Sequence, residues 1–393
     1  MGLIPQIIDL QQPGAWKAVV VLVFSLLVFG AWAFYIFLYL VAPIPRAPLA
    51  SEKKYRIVES DGNISPYEDL PCWKDRHDAE KKARKHPAET DHPLKPPPIA
   101  KADIFMSLVV PAFNEEERLG IMLTEAVDYL EQEYGQSKPP KGQANGGLKQ
   151  RKGGEETSNG HVASSHATTK GWEILVVSDG STDRTIDTAL DFAKSLKGTA
   201  ASNIRVIKLH ENRGKGGAVI HGMRHIRGEY AIFADADGAS KFEDLGKLVR
   251  EAKKFEDAEG RSVAVGSRAH LVGSEAVVKR SFLRNLLMHS FHLLIRLLTP
   301  PATGAVKDTQ CGFKLFSRAS LSYIVPHMHS EGWIFDIEML MLAESASIPV
   351  VEVPVGWKEV KGSKLNVVWD SLGMAWGLFV LRAAWLLGIY DTD

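Results

Sequence analysis

In YAIFADADGAS (residues 230–240) an apolar run, Ala231 to Ala234, ends in two carboxylates, Asp235 and Asp237, with one alanine between them. The run reads as a short buried strand, and the sheet gives out where the acids begin. Two carboxylates at this spacing can offer oxygens to one hard cation, which suits Mg2+ or Mn2+ better than zinc. Such an ion is usually shared with a substrate phosphate. Alone, the motif is equally what a solvated turn looks like, because Asp, Gly and Ser gather where strands end. Its surroundings separate the two readings.

The same pattern recurs on both sides. Residues 106–110, 174–177, 204–209 and 263–265 read as further strands, and 116–134, 183–196, 215–226 and 242–255 as helices. In the first of these helices Leu119, Met122, Leu123, Ala126, Val127 and Leu130 fall on one face. Strands alternating with helices mean βαβ units and a mostly parallel, Rossmann-like sheet of the α/β class, with residue 263 onward closing the series. Each strand runs into a polar motif: PAFNEE (111–116), SDGSTD (178–183), HENRGKGG (210–217), DADG (235–238) and GSRAH (266–270). Ligands of open α/β sheets bind outside the carboxyl ends of the strands. One such motif could be a helix cap, but five in succession point to a nucleotide-type ligand with a diphosphate and a divalent ion. Neither the Walker frame nor the dinucleotide fingerprint is present, which counts against an NTPase or a dehydrogenase.

The chain has 393 residues, 45% hydrophobic and 24% charged, with a formal net charge of zero, so no basic surplus points to nucleic acid. Its two cysteines, Cys72 and Cys311, share no metal-ligand spacing and argue for a reducing compartment. Residues 18–42 are an uncharged apolar run, longer than the roughly 20 residues that cross a bilayer. Lys17 precedes the run, whereas Arg46, Lys53, Lys54 and Arg56 follow it, which puts the following chain in the cytosol and leaves 1–17 as a short lumenal segment. Residues 43–101 read as a stalk with little regular structure, 102–278 as the α/β domain that takes the nucleotide-type ligand and 279–393 as a membrane-interface region. Within the domain, residues 135–171 are nearly devoid of apolar side chains and read as a disordered insertion.

SLVVPAFNEEERL (107–119), VVSDGSTDRT (176–185), ENRGKGGAV (211–219), FADADGAS (233–240), GSRAHL (266–271) and DTQCGFKLF (308–316) together resemble the inverting glycosyltransferases of the glycosyltransferase-A fold. With KGSKL (361–365), they are more closely similar to the branch that glucosylates dolichyl phosphate at the endoplasmic reticulum, using UDP-glucose, for N-glycosylation. The resemblance implies that Pro111, Asn114, Glu115 and Asp179 hold the uridine, with Lys215 and Gly216 near the nucleotide. Where the family usually has a first aspartate, this chain has Ser178, which leaves Asp179 to meet the uracil. Asp235 and Asp237 would bind the ribose, diphosphate and metal, Asp237 most directly, and Arg268 would face phosphate. Asp308 lies where a base would sit, and Gln310, Trp333, Asp336 and Glu338 would line the sugar end.

Residues 279–299 and 367–390 are apolar over much of their girth but carry cations, as helices lying in a membrane interface do. Arg382 falls mid-run in the second, where a spanning helix would bear it at a cost of about 2.5–3.5 kcal/mol. These helices would bring the site to a lipid acceptor whose phosphate meets Arg268, Arg280 and Arg284. A mannosyltransferase using GDP-mannose on the same lipid, and a catalytically idle membrane scaffold, remain as alternatives. Oligomerisation is open.

Overall fold

In the computed structural model, which describes residues 15–84, 99–135, 170–196, 198–271, 282–360 and 367–390, the chain begins with α1 (Ala15–Val41). Next come β1 (Lys54–Arg56), β2 (Glu68–Asp69) and α2 (Trp73–Arg84). The central alternation is β3 (Ile104–Ala112), α3 (Leu119–Tyr134), β4 (Trp172–Ser178), α4 (Thr185–Ser195), β5 (Ile204–Lys208), α5 (Gly214–Met223), β6 (Gly228–Ala234), α6 (Leu245–Lys254) and β7 (Val263–Ser267). The last part holds α7 (Phe282–Leu298), α8 (Pro301–Ala305), β8 (Phe313–Ser317), α9 (Arg318–Ile324), α10 (Phe335–Ser345), β9 (Val350–Pro354) and α11 (Val367–Leu386).

All described strands join one sheet in the order β2-β1-β5-β4-β3-β6-β8-β7-β9. β5, β4, β3 and β6 are parallel, and β3 and β4 are buried on both faces, which is why both read as nearly unbroken apolar runs. The chain moves outward from β3 to β4 to β5, then returns to place β6 on the other side of β3. That reversal opens a crevice at the carboxyl ends of β3 and β6, the usual place for a ligand in such sheets. One face of the sheet packs on α3, α4 and α6, through Leu123, Leu190 and Leu248 among others. The other packs on α5, α9 and α10, through Val219, Leu321 and Leu340.

Three expectations change. β7 does not follow β6 in the sheet: β8 lies between them, antiparallel to both. β8 and β9 belong to the region read as a membrane-interface segment, so the sheet runs across the expected boundary at residue 278. Residues 43–84 are not a bare stalk either. β1 pairs antiparallel with β5, and Tyr55, Leu70 and Trp73 are buried in the core, where Trp73 Nε1 donates to Met223 O at 2.6 Å. Few apolar residues anchor this segment, so its periodicity was too weak to read. The expected insertion lies mostly outside the described residues, but its flanks meet: Gly171 N donates to Tyr134 O at 2.9 Å.

Val19–Val41 within α1 is long and apolar enough to cross a membrane, and it is exposed over most of its length. α11 lies against its end, with Phe37 and Trp376 ring centroids 6.3 Å apart and Tyr390 Oη donating to Pro43 O at 2.8 Å. A third apolar cluster joins Phe291 and Ile295 of α7, Ile337 and Met341 of α10, and Leu378, Leu381 and Ala384 of α11. The opposite side of α11 exposes Trp369, Leu372 and Trp376.

Trp73→Ala should lower the unfolding free energy by about 3–5 kcal/mol, the cost of emptying a buried aromatic site. Denaturant titration of the detergent-solubilised chain measures it; an unchanged midpoint would return residues 43–84 to the status of a stalk.

Candidate active site

β6 delivers Asp235 and Asp237 to the crevice because its apolar residues are consumed by the sheet just before them. Lys215, in the first turn of α5, ion-pairs with Asp235 at 2.5 Å. Arg118, held at 2.6 and 2.7 Å by the Glu115 carboxylate, places Nη1 3.9 Å from Asp237 Oδ2. Asp237 also accepts from Ala239 N at 2.9 Å. Burial, and then the Asp235 charge, push the Asp237 carboxyl above its usual range. Burial opposes charge on Lys215, but Asp235 and Asp336 outweigh it and raise that ammonium.

A second pair lies below the first. Lys314 of β8 and Asp336 of α10, both buried, join at 2.5 Å, and Lys314 Nζ also donates to Cys311 O at 2.7 Å. Burial pushes Asp336 up despite Lys314 and Lys215. Gly312 passes directly beneath Asp235: a Cβ there would meet Asp235 Oδ2 at 2.1 Å, and Gly312 O accepts from Asp235 N at 3.2 Å.

On the nucleotide side, the loops after β3 and β4 are laced together. Asn114 sits in the left-handed region at φ 53°, which asparagine tolerates better than most residues. Its Oδ1 accepts from Thr182 N at 2.8 Å, Glu115 N donates to Thr185 Oγ1 at 2.7 Å, and Arg184 N donates to Glu116 Oε2 at 2.9 Å. Asp179 is buried and accepts from Arg213 N at 2.7 Å. Burial, only partly offset by that N–H, pushes its carboxyl up to about 6. A ligand N–H would favour its ionised form.

Beyond β7, Arg268 makes a bidentate pair with Asp308: Nε to Oδ2 at 2.8 Å and Nη2 to Oδ1 at 2.9 Å, with Arg268 N also donating to Oδ2 at 2.8 Å. Burial works against ionisation of Asp308, but Arg268 prevails and holds the carboxyl below the usual range; Asp308 in turn raises the guanidinium. The Trp357 ring lies 5.9 Å from the guanidinium carbon. Glu352 of β9 fixes the backbone here, accepting from Lys307 N at 3.2 Å and Asp308 N at 3.1 Å.

Among the described residues no three His, Cys, Asp or Glu side chains gather around one point. Asp235 and Asp237 therefore form a two-carboxylate set, too few ligands for a protein-only cage. The set fits a hard cation that takes its remaining ligands from a substrate diphosphate and water.

The family model described as Glycosyl transferase family 2 matches residues 160–323. The dolichyl-phosphate beta-glucosyltransferase of Saccharomyces cerevisiae is 39% identical over 376 residues, covering 94% of this chain and 95% of that one. This chain belongs to the dolichyl-phosphate β-glucosyltransferase family. Relatives of the same name from Drosophila melanogaster and Homo sapiens are 40% and 37% identical, covering 72% and 73% of this chain and 76% and 78% of theirs. Among solved structures, glucosyl-3-phosphoglycerate synthase from Mycobacterium tuberculosis, in complex with Mg2+ and UDP, is 17% identical with a TM-score of 0.41. The match covers 73% of this chain and 81% of that one.

Within this family member, the structure brings Lys215, Asp235, Asp237 and Asp336 into one electrostatic cluster, with Pro111 at the end of β3 and Asn114, Glu115 and Asp179 in the adjoining loops. Gly216 serves packing: a Cβ there would meet Phe335 Cβ at 2.6 Å and Glu331 O at 2.9 Å. Gln310 Nε2 lies 2.9 Å from Met374 Sδ, so its amide is turned toward α11. Trp333 is exposed, whereas Glu338 is fully buried and accepts from His329 N and Ser330 N at 2.7–3.0 Å. Glu338 thus pins the turn that stacks His329 on Tyr390. Arg280 and the 361–365 motif lie outside the described residues, and Arg284 is described only as a position in α7. The reading from residues missed Arg118, Gly312, Lys314 and Glu352. Gly312 and Lys314 stand in DTQCGFKLF, but a lysine inside an apolar strand signals a buried counter-charge only once the helix packed against it, α10, is known.

Gly312→Ala should displace Asp235 and cost about 100-fold in transfer rate, the scale of a 1 Å misplacement. Initial rates together with thermal unfolding check it; near-normal rates would mean that Asp235 has room to move.

Proposed function

We propose that this chain transfers glucose from UDP-glucose to dolichyl phosphate with inversion, giving dolichyl β-D-glucosyl phosphate and UDP for the glycan assembly of N-glycosylation. The observation that carries the reading is the neighbourhood of Asp235 and Asp237. An acid pair at the switch point, flanked by Lys215 and Arg118, adjoins a loop that Gln310 ties to the apolar-faced helix α11. A polar donor cleft beside a membrane-facing surface suits a nucleotide sugar and a lipid phosphate together. The relatives' shared name supports dolichyl phosphate as the acceptor and glucose as the group transferred. The cations after α1, against the single Lys17 before it, support a single-pass protein of the endoplasmic reticulum with its domain in the cytosol.

Asp235 and Asp237 would hold a Mg2+ or Mn2+ ion, which supplies positive charge against the donor diphosphate. A lipid phosphate oxygen attacks the anomeric carbon as the bond to UDP breaks on the opposite face, so the α-linked donor yields a β-linked product. A sugar hydroxyl would need a base to draw off its proton. A phosphate monoester, with a second pKa of about 6, already carries the attacking charge near neutral pH. Asp308, tied up by both arms of Arg268, is a poor base and a good holder of that guanidinium. Arg268 in turn offsets repulsion between the two phosphate groups, which is severe in a partly dehydrated site.

Purified full-length protein should glucosylate dolichyl phosphate from UDP-glucose, use GDP-mannose poorly, and stop when EDTA is added. Asp237→Ala should abolish transfer without unfolding the chain. Preference for GDP-mannose would replace the donor, and undiminished turnover by the variant would reduce the acid pair to a turn.

Arg268→Ala should lower kcat by about 10²–10³-fold, the scale of removing one donor aimed at developing charge. Asp308→Asn should lose only about tenfold, since one acceptor oxygen remains, and its pH profile should keep the wild-type shape. An inactive Asp308→Asn that still binds UDP-glucose, beside a nearly normal Arg268→Ala, would restore Asp308 as a base.

A further inference from the structure

Against α7 lies a cavity of about 300 Å³ lined by His292, Leu293, Ile295 and Arg296 and, after α8, by Val306 and Lys307. No lining residue is acidic, and among the described residues the Arg296 and Lys307 side chains form no ion pair. The walls are built rather than loose. Gly304 lets α8 close on α7, since a Cβ there would already touch Arg296 Cα at 3.4 Å. Glu344 fixes α8 by accepting from Ala302 N and Thr303 N at 2.7–2.8 Å, and Glu352 fixes the backbone of Lys307.

Leu293 and Leu297, 58% and 70% exposed, stand four apart on α7 and Arg296 stands three from Leu293, so apolar and cationic groups share one face of α7. The other face, with Phe291 and Ile295, is buried in the cluster that includes α11, and α11 lies along the end of α1. An exposed apolar stripe carrying a cation, on a helix docked beside a candidate membrane span, is what an interface-lying helix presents to a bilayer. Lys307 is also the neighbour of Asp308, which holds Arg268.

We propose that this cavity binds the phosphate group of a membrane lipid, through Arg296 and Lys307, with Leu293 and Leu297 against the start of its chain. The ligand class is a phosphate ester on a long apolar tail. Its source is either the acceptor, held one residue from the Arg268–Asp308 pair before transfer, or an anionic phospholipid that seats α7. Only the acceptor arm rests on the proposed function.

The test uses full-length protein and the double variant Arg296→Glu/Lys307→Glu, both exposed positions, with thermal unfolding as the control for folding. Native mass spectrometry from detergent compares retention of dolichyl phosphate, phosphatidic acid and phosphatidylcholine. The wild type should retain the phosphate monoesters, and the variant should retain them about tenfold less, as expected when two cations near an anionic group are reversed. Kinetics in phosphatidylcholine nanodiscs then separates the sources. An acceptor site raises KM for dolichyl phosphate about tenfold, with kcat and KM for UDP-glucose unchanged; a phospholipid site leaves that KM unchanged while phosphatidic acid is lost. Arg296→Lys/Lys307→Arg should restore retention. Equal retention of every lipid by wild type and charge-reversed protein overturns the proposal. If the wild type transfers glucose to no lipid phosphate, the proposed function fails while the retention arm still decides the cavity.

Discussion

Two carboxylates at the end of one buried strand repel each other, and positive charge must stand close by if both are to stay ionised. Much of the site answers that requirement. Lys215 comes from α5, Arg118 from the loop after β3, and Lys314 with Asp336 forms a further layer beneath. Two of these cations are themselves fixed: Arg118 by Glu115, and Lys314 by the Cys311 carbonyl. A divalent ion and a diphosphate would join a balance of charge that the protein has already arranged, so little reorganisation is needed on binding.

The same design recurs at the other end of the crevice with the signs exchanged. There the carboxylate Asp308 holds the cation Arg268, which in the proposed function would be the group offered to ligand. Glu352 sits behind Asp308, and the antiparallel β8 between β6 and β7 brings this pair and the acid pair onto one edge of the sheet. A guanidinium gripped on two sides loses little freedom when a phosphate arrives, which favours positioning over proton transfer as the work of this region.

The candidate membrane span and the site are joined by a chain of packed contacts. α1 meets α11, α11 meets α7 and α10, and Gln310 reaches Met374 from the loop that also carries Asp308 and Gly312. A thioether is a weak acceptor, so this contact positions more than it stabilises.

From the sequence alone came the α/β alternation, the strand-end motifs, the acid pair and the apolar span, because each is written in a local period or a short contiguous string. The sheet order was not legible: β8 lies in the stretch read as a membrane-interface region, and its insertion between β6 and β7 depends on pairing across more than the neighbouring turn. The core role of residues 43–84 was hidden because a few residues such as Tyr55 and Trp73 do the anchoring, without periodicity. Glu338 and Asp308 look alike as motif carboxylates. Only the fold shows that one faces backbone N–H groups in the interior and the other an arginine at the crevice. Residue type and spacing set what chemistry is available; which partner each charge meets is decided by tertiary contacts, since electrostatic energy depends on distances in space that sequence separation does not encode.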